Sequence, residues 1–253
     1  MGLKIYHEAP ISMFSEVQDF TDGDYALVHL LDQNAKYRKM FVQAACQGRT
    51  IILDNSVFEL GEPYDQGAYI EWIIRLNPDY YVVPDKQNDL EETLDKFFSF
   101  IAIPAIKSYP RMGVVQGKTD NELTQCYDKM IPHCDIIGIP FDHPSWEFGG
   151  YTNGRADFIQ HLHTTGRIYK PIHLLGVHLP QEITRYRNYK FIASIDTSNP
   201  VVHGLHGIRY DRYGLPYKHP IKLHTLVDEE ITLEQRLNVY YNMFMFRRFY
   251  YGN

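Results

Sequence analysis

Short apolar runs alternate with longer segments of helical periodicity along most of the chain. Apolar runs bounded by turn residues are typical of strands that are buried on both faces. We predict strands at Ala26–Leu31, Thr50–Asp54, Tyr80–Pro84, Gly113–Gln116, Ile136–Pro140, Ile172–Val177 and Phe191–Asp196. Amphipathic patterns predict helices at about Gln33–Gln47, Tyr64–Leu76, Asp89–Ala102, Asp120–Ile131, Arg155–Thr165, Pro180–Tyr186 and Thr232–Tyr250. This alternation predicts an α/β fold with parallel strands joined by right-handed crossovers.

The number of strands decides between two α/β architectures. An eighth strand, which we place in the Leu205–Leu226 region, would close a (β/α)8 TIM-type barrel. A doubly wound open sheet is the main alternative. The 253 residues suit one barrel domain spanning 1–253. The last helix should pack its apolar face on the barrel, and the Gly-, Tyr- and His-rich stretch His203–Pro220 predicts a long loop.

Composition limits the class of protein. Hydrophobic residues make up 44% of the chain, which is enough for a sizeable core. No run of about 18 apolar residues predicts a transmembrane helix, so we expect no membrane partner. The first residues do not read as a secretory signal. The three cysteines are too scattered for a disulfide framework, which favours a reducing, cytoplasmic location.

Charge is distributed unevenly. The formal net charge is −6, yet residues 155–224 contain 10 Lys/Arg and 4 Asp/Glu, together with eight histidines. Such a segment can form a phosphate-facing surface on an otherwise acidic protein, so the charge distribution is compatible with a nucleic-acid partner. Alternatively, these basic residues are clustered in the sequence by chance and are spread around the fold.

Polar residues and glycines follow the ends of several predicted strands. They are Asp54, Asp85, Gln116, Gly138 with Asp142, Gly176 with His178, and Asp196. Because the carboxyl ends of barrel strands open on one face, these residues should converge on one pocket. A single Asp after a strand is often only a turn residue or a helix N-cap. The repetition over consecutive strands favours a site.

Paired carboxylates at such a pocket suit glycosidic chemistry. One ionised carboxylate can attack the anomeric carbon, while the other, with a raised pKa, transfers protons. Carboxylates and a carboxamide can also hydrogen-bond the edge of a purine. Phe58 and Leu175 are candidates to sandwich its ring.

Four segments carry a resemblance to a known family. ILDNSVFELG resembles the D-S-G-G-F/Y-Q segment of the tRNA-guanine transglycosylases, and GVVQG resembles their G-I/V-Q-G segment. GIP is similar to their G-L/I-A/S turn, and HLLGV to their Y-L-M-G-V strand. Order and rough spacing agree from about Thr50 to Pro200. The resemblance implies a barrel enzyme that exchanges a guanine in a nucleic acid for a 7-deazaguanine.

The resemblance also implies roles for individual residues. Asp196 would be the nucleophile on C1′ of the sugar, and Asp54 the general acid and base. Four residues would read the purine: Asp85, Gln116, Gly138 and Ile139. Phe58 and Leu175 would stack on it, and Gly176 would shape the pocket floor. The target nucleotide would be turned out of its helix.

The chain departs from that family in three places. Cys46, Cys126 and Cys134 form no cluster, so we expect no structural zinc and no other cofactor. Two family glycines are replaced by Ser56 and Val57, which makes that loop bulkier. The basic stretch after the nucleophile is replaced by NPVVHGLHG, where His203 and His206 would supply polar contacts. Compact relatives without the zinc module modify DNA, so DNA is favoured over tRNA. The sequence carries no signal for oligomeric state.

Two other functions fit a barrel of this kind. A metal-assisted hydrolase could use His143, His173 and His178 with Asp85 or Asp142, although their spacing matches no ligand motif. A non-catalytic barrel that only binds nucleic acid is the second alternative.

Overall fold

Eight parallel strands form a nearly closed (β/α)8 TIM-type barrel in the computed structural model, which describes residues 2–141, 154–218, 220 and 222–252. The strands are β1 Lys4–His7, β2 Asp24–Leu27, β3 Ile51–Asp54, β4 Tyr80–Val82, β5 Arg111–Val114, β6 Ile136–Pro140, β7 Ile172–Leu175 and β8 Ile192–Thr197. Hydrogen-bonded neighbours follow the order β1-β8-β7-β6-β5-β4-β3-β2. The barrel predicted from the sequence is therefore confirmed.

The eighth strand lies elsewhere than predicted. It is β1, near the start of the chain, and not in the Leu205–Leu226 region. Its pattern is weak because the segment has four residues, begins with Lys4 and ends with His7. Its backbone also meets the segment before β2, where Asp22 N donates to Ile5 O at 2.9 Å. Thr21 Oγ1 accepts from His7 N at 3.0 Å, which brings the two ends of the sheet together.

Helices cover the outside of the barrel. The α-helices are α1 Phe14–Gln18, α2 Val28–Gln33, α3 Ala35–Cys46, α4 Val57–Leu60, α5 Gln66–Leu76, α6 Leu90–Ile101, α7 Asp120–Met130, α8 Gly154–Thr164, α9 Asn199–Leu205 and α10 Leu233–Tyr251. Short 3-10 helices occupy Ile11–Met13, Pro104–Ile106, Ile131–His133, Pro180–Tyr186 and Leu223–Leu226. Side-chain caps fix several helix starts: Asp89 accepts from Glu92 N, and Thr119 from Glu122 N.

Two predicted segments differ from the structure. The predicted strand Ala26–Leu31 ends at Leu27, and its second half belongs to helix α2. A short apolar run cannot be assigned to strand or helix by periodicity, and Val28 and Leu31 are buried in the helical geometry. The predicted loop His203–Pro220 begins later, because helix α9 extends to Leu205.

The barrel interior is mostly apolar below its carboxyl end. Its cluster of buried residues contains Tyr6, Tyr25, Leu27, Ile52, Val82, Met112, Val114 and Ile136. Strand side chains alternate between two faces, so the inward position after Ile52 is Asp54 and the one after Val114 is Gln116. On β8 the inward positions are Ser194 and Asp196. The same alternation that fills the core therefore brings polar groups to the carboxyl end.

The C-terminal helix packs on the barrel wall, as predicted. Helix α10 buries Val239, Met243 and Phe246. A Cβ on Gly204 of helix α9 would lie 2.5 Å from Val239 N, so a glycine allows the two helices to approach this closely. In the described part of the chain, no helix has the length and apolar character needed to cross a membrane.

Candidate active site at the carboxyl end of the barrel

A cavity of about 480 Å³ lies at the carboxyl end of the strands. This volume falls within the range of about 300–1,000 Å³ that is typical of small-molecule sites. Seven of the nine candidate catalytic and base-binding residues line it: Asp54, Phe58, Asp85, Gln116, Leu175, Gly176 and Asp196. The strand-end residues therefore share one cavity.

Asp196, near the end of β8, is held through one of its two carboxylate oxygens. Oδ1 lies 3.0 Å from His173 Nε2 and accepts the backbone N–H of Gly176 at 3.0 Å. Gly176 has φ 59°, a conformation that favours glycine. Asp196 is 4% exposed. Among the described residues, none forms a hydrogen bond with Oδ2, so only one oxygen is tied to the protein there.

Asp54, at the end of β3, faces the same cavity in a different environment. Its Oδ2 accepts from the Tyr25 hydroxyl at 2.7 Å, and its Oδ1 accepts from Ser56 N at 2.6 Å. Burial, and next the neighbouring Glu59, raise the pKa of Asp54 well above its usual value. The Tyr25 ring stacks on that of His173, with centroids 6.1 Å apart. Two side chains thus connect Asp54 with Asp196.

The loop after β3 has an unusual backbone. Ser56 is left-handed, with φ 62° and ψ 19°, a region in which non-glycine residues are uncommon. Its hydroxyl compensates by bonding His29 Nδ1 at 2.8 Å. Val57 N donates to Asn55 Oδ1 at 2.9 Å and starts helix α4. This short helix brings Phe58 and Glu59 to the cavity.

Asp85 and Gln116 form a fixed pair on the cavity wall. Gln116 Nε2 donates to Asp85 Oδ2 at 2.6 Å, and Asn55 Nδ2 donates to Asp85 Oδ1 at 3.0 Å. Gln116 Oε1 in turn accepts from Asn88 N at 3.0 Å. Burial raises the pKa of Asp85. The pair offers carboxylate and amide groups whose orientation is set before any ligand arrives.

Gly138 and Ile139 are not among the residues that line the cavity. Ile139 is fully buried in the core outside the barrel, and its carbonyl accepts from Arg155 Nη1 at 3.2 Å. A Cβ on Gly138 would lie 2.9 Å from Leu175 Cδ1, so the glycine makes room for the side chain that forms the wall. The next residues on this strand, Pro140 and Phe141, do line the cavity.

A buried ion pair holds the ends of β6 and β7 together. Arg155 Nη2 lies 2.6 Å from Glu182 Oε1, and Arg155 Nη1 donates to Leu175 O at 2.6 Å. Tyr186 adds a hydroxyl bond to Glu182 Oε1 at 3.0 Å. Removing one partner of such a pair would leave a buried charge uncompensated. Arg155 therefore fixes the wall that includes Leu175.

Two further carboxyl groups belong to the cavity although the sequence did not indicate them. Glu8 follows β1, which the apolar pattern does not predict, and it obeys the same strand-end rule. Burial, and next Asp196, raise its pKa well above the usual value. Glu59 lies on helix α4, and burial raises its pKa to about 7. The cavity thus collects five carboxyl groups, whose protons are interdependent.

The mouth of the cavity carries cationic and aromatic groups. Lys218 and Lys222 line it, and Lys222 Nζ sits 4.4 Å from the centroid of the Phe58 ring. On the other side Phe141 stacks on His178, with centroids 4.3 Å apart. Burial lowers the pKa of His178 to about 4. The acidic floor is therefore covered by a positively charged, aromatic rim.

His203 and His206 are not at the cavity. His203 is 1% exposed inside helix α9, and its Nδ1 bonds Asn199 O at 3.0 Å. His206 Nδ1 bonds Val202 O at 2.8 Å. Lysines from the following loop take the place that the sequence assigned to these histidines. The loop has no periodic pattern from which this could be predicted.

The side chains considered for a metal-assisted hydrolase do not form a ligand set in the described part of the chain. There, no three His, Cys, Asp or Glu side chains are placed to hold a metal ion. His173 lies beneath Asp196 with both nitrogens near a partner, and His178 stacks at the rim. Asp142 and His143 lie outside the described residues.

The chain matches no model of a known protein family, and no curated protein is significantly similar to it in sequence. Its function is therefore inferred from the geometry of the cavity and from the sequence motifs at the strand ends.

Glu59 gives the cavity a characteristic pH dependence. Its pKa is about 7 in the folded chain, against an ordinary value of 4.5. Between these values the folded state binds a proton that the unfolded state has lost, so the stability from Glu59 falls as pH rises through 7. We expect Glu59→Gln to match wild type near pH 4 and to be more stable at pH 8, measured by urea denaturation at each pH.

Glu91, exposed on helix α6, offers the matched control. Glu91→Gln should follow the wild-type pH profile at every point. A Glu59→Gln profile parallel to that of wild type would show that burial does not hold a proton on this carboxyl group.

Proposed function

We propose that this chain is a nucleic-acid guanine transglycosylase, which replaces a guanine by a 7-deazaguanine derivative through a covalent Asp196–sugar ester. One observation carries the proposal. A carboxylate held through a single oxygen and a carboxyl group with a raised pKa face the same cavity, beside a fixed pair of purine-reading groups. That combination supplies a nucleophile, an acid and a specificity element for glycosidic chemistry.

In the first half-reaction, Asp196 Oδ2 attacks C1′ of the target nucleotide. The C1′–N bond breaks, and its electron pair leaves with guanine. Asp54, whose raised pKa favours its protonated form, gives a proton to the departing base. In the second half-reaction the incoming base returns a proton to Asp54 and bonds to C1′, while the ester electron pair returns to Asp196.

Asp85 and Gln116 are the groups that we assign to base recognition. A purine such as guanine presents N–H donors and a carbonyl acceptor on its edge, which suit a carboxylate and a carboxamide. The pair is prearranged by Asn55 and Asn88, so little ordering is needed on binding. Phe58 and Leu175 flank the cavity as surfaces for the ring.

The polymer is proposed from the rim of the cavity. Lys218 and Lys222 can meet backbone phosphates of a nucleotide whose base enters the acidic floor. Arg212 lies 4.6 Å from the ring of Tyr213, which is 68% exposed, in the same loop region. Exposed aromatic rings next to cations suit an unpaired strand. We propose DNA over tRNA, because the chain lacks the cysteine cluster of the tRNA enzymes.

The deciding assay is release of guanine from a labelled polymer. Duplex DNA and tRNA with labelled guanine are each incubated with the protein and with candidate 7-deazaguanine bases. We expect the wild-type protein to release labelled guanine from DNA. Asp196→Ala lacks the nucleophile, so its rate of release should be lower by at least about a thousandfold, which is the usual size of the effect when a nucleophile is removed. Circular dichroism checks that the variant is folded.

Asp128, half-exposed on helix α7, provides the matched control, and Asp128→Ala should release guanine as wild type does. Loss of label from tRNA alone would assign the same chemistry to tRNA. Full release by Asp196→Ala would overturn the assignment of the nucleophile.

The rim lysines predict a change in salt dependence. The double substitution Lys218→Ala and Lys222→Ala should weaken binding of nucleic acid and reduce the slope of log K against log salt by about 1 for each phosphate that is no longer bound. Fluorescence anisotropy over a salt series measures the slope. Lys129→Ala, exposed on helix α7, should leave it unchanged. An unaltered slope in the double variant would remove these lysines from the nucleic-acid interface.

A further inference from the structure

Next to Asp196 lies a buried His–Ser pair to which the proposed chemistry gives no role. His173, on β7, is 0% exposed, and its Nδ1 lies 2.7 Å from Ser194 Oγ on β8. Its Nε2 lies 3.0 Å from Asp196 Oδ1. The pairing of the two strands shifts register between Ile172 and His173 and places Ser194 opposite His173, so the backbone itself sets this contact.

The partners of His173 determine which nitrogen carries the proton. An ionised carboxylate can only accept, so Nε2 must donate to Asp196. A hydroxyl can donate, so Ser194 can satisfy Nδ1 of the neutral ring. The imidazole is further enclosed by the Tyr6 ring at 6.2 Å and the Tyr25 ring at 6.1 Å, centroid to centroid. These contacts fix the position of the ring, and the ionised Asp196 that the proposed chemistry requires selects the Nε2–H form of the neutral imidazole.

We propose that His173 Nε2–H and Gly176 N–H form a two-donor cradle for Asp196 Oδ1 that favours return of the sugar ester to the free carboxylate. This inference rests on the proposed function, and it assigns His173 as a positioning residue that acts through Asp196.

The reason lies in how the charge on Oδ1 changes during the reaction. In the free carboxylate, Oδ1 shares a full negative charge with Oδ2. In the ester, Oδ2 is bonded to C1′ and Oδ1 is a neutral carbonyl oxygen. Hydrogen bonds to charged acceptors are roughly twice as strong as bonds to neutral ones. The two donors therefore stabilise the carboxylate more than the ester.

The cradle has opposite effects on the two half-reactions. When Oδ2 attacks C1′, charge leaves Oδ1 and both hydrogen bonds weaken. When the incoming base attacks C1′, the C1′–Oδ2 bond breaks, its electron pair returns to the carboxylate, and both bonds strengthen. The donors thus prevent the covalent intermediate from becoming a stable end state. They also leave Oδ2 as the attacking atom, because Oδ1 already accepts two hydrogen bonds.

Two substitutions whose side chains resemble each other in size distinguish this hydrogen-bonding role of His173 from a role in packing. His173→Gln keeps an N–H donor on a chain that can reach Asp196, whereas His173→Met has a similar shape without a donor. Each protein is mixed with labelled DNA, and with tRNA in parallel, and the ester is quantified on denaturing gels. Unlabelled guanine is then added, and the disappearance of the ester is followed.

We expect His173→Met to raise the ratio of ester to unmodified polymer by about three- to tenfold at equal free guanine, and to slow the chase by a similar factor. His173→Gln should restore both values toward wild type. A purely structural histidine would lower the amount of active protein, so the ratio would fall and not rise. His133→Gln, exposed at the opposite end of the barrel, is the control and should behave as wild type.

Ser194→Ala covers the case in which His173→Met does not fold. It keeps the imidazole and removes only the Nδ1 partner, so we expect a smaller shift of the ratio in the same direction. An unchanged ratio in every folded variant, with wild type exchanging guanine normally, would overturn the cradle alone. A wild-type protein that neither releases guanine nor forms an ester on either polymer would overturn the proposed function and the cradle together.

Discussion

The rest of the structure depends on how the barrel accommodates carboxyl groups at the last inward positions of its strands. Below this level the interior is filled mainly by hydrophobic rings and aliphatic chains, which cannot solvate a charge. The buried His173 and Ser194 are polar exceptions. Each carboxyl group must therefore either accept hydrogen bonds from N–H or O–H donors or be protonated. Asp196 takes two N–H donors on one oxygen, whereas burial raises the pKa of Asp54, Glu8 and Glu59. The same physical constraint thus produces two kinds of carboxyl group, and glycosidic exchange requires both kinds.

The period-two alternation of strands explains what the sequence could predict. Asp54 and Gln116 each end an apolar run in phase with its inward residues, so their convergence follows from parallel pairing alone. Asp196 faces the same way because the pairing of β7 and β8 shifts register between Ile172 and His173, which the alternation does not predict. Glu8 obeys the same rule but was hidden, because β1 offers only Ile5 and Tyr6 as apolar residues. The predicted eighth strand was placed at the wrong end of the chain for this reason.

Side-chain contacts between neighbouring strands could not be predicted. Tyr25 and Asp54 are 29 positions apart, and His173 and Asp196 are 23 apart, so their hydrogen bonds depend on register and side-chain direction. Gly138 and Ile139 illustrate the same limit. Their position in the motif predicts that they contact the base. In the structure, Gly138 leaves space for the Leu175 side chain, and the Ile139 side chain is buried in the core outside the barrel. Lys218 and Lys222 lie on an irregular loop that gives no periodic signal.

The loop after β3 connects the sequence motif to the geometry. The resembling family has glycine where this chain has Ser56, and Ser56 adopts the left-handed backbone that glycine would favour. Its hydroxyl bond to His29 accounts for how a larger residue is accommodated. The bulkier side chain therefore changes the surroundings of the turn while Asp54 keeps its place at the cavity.

The central claim is that this cavity holds a guanine between the base-reading pair and the nucleophile. A crystal structure of the protein with guanine tests it most directly. We expect the purine edge to bond to Asp85 and Gln116, the ring to lie against Leu175, and N9 to point toward Asp196 Oδ2. Guanine bound away from Asp196, or with its N9 turned from that carboxylate, would contradict the claim.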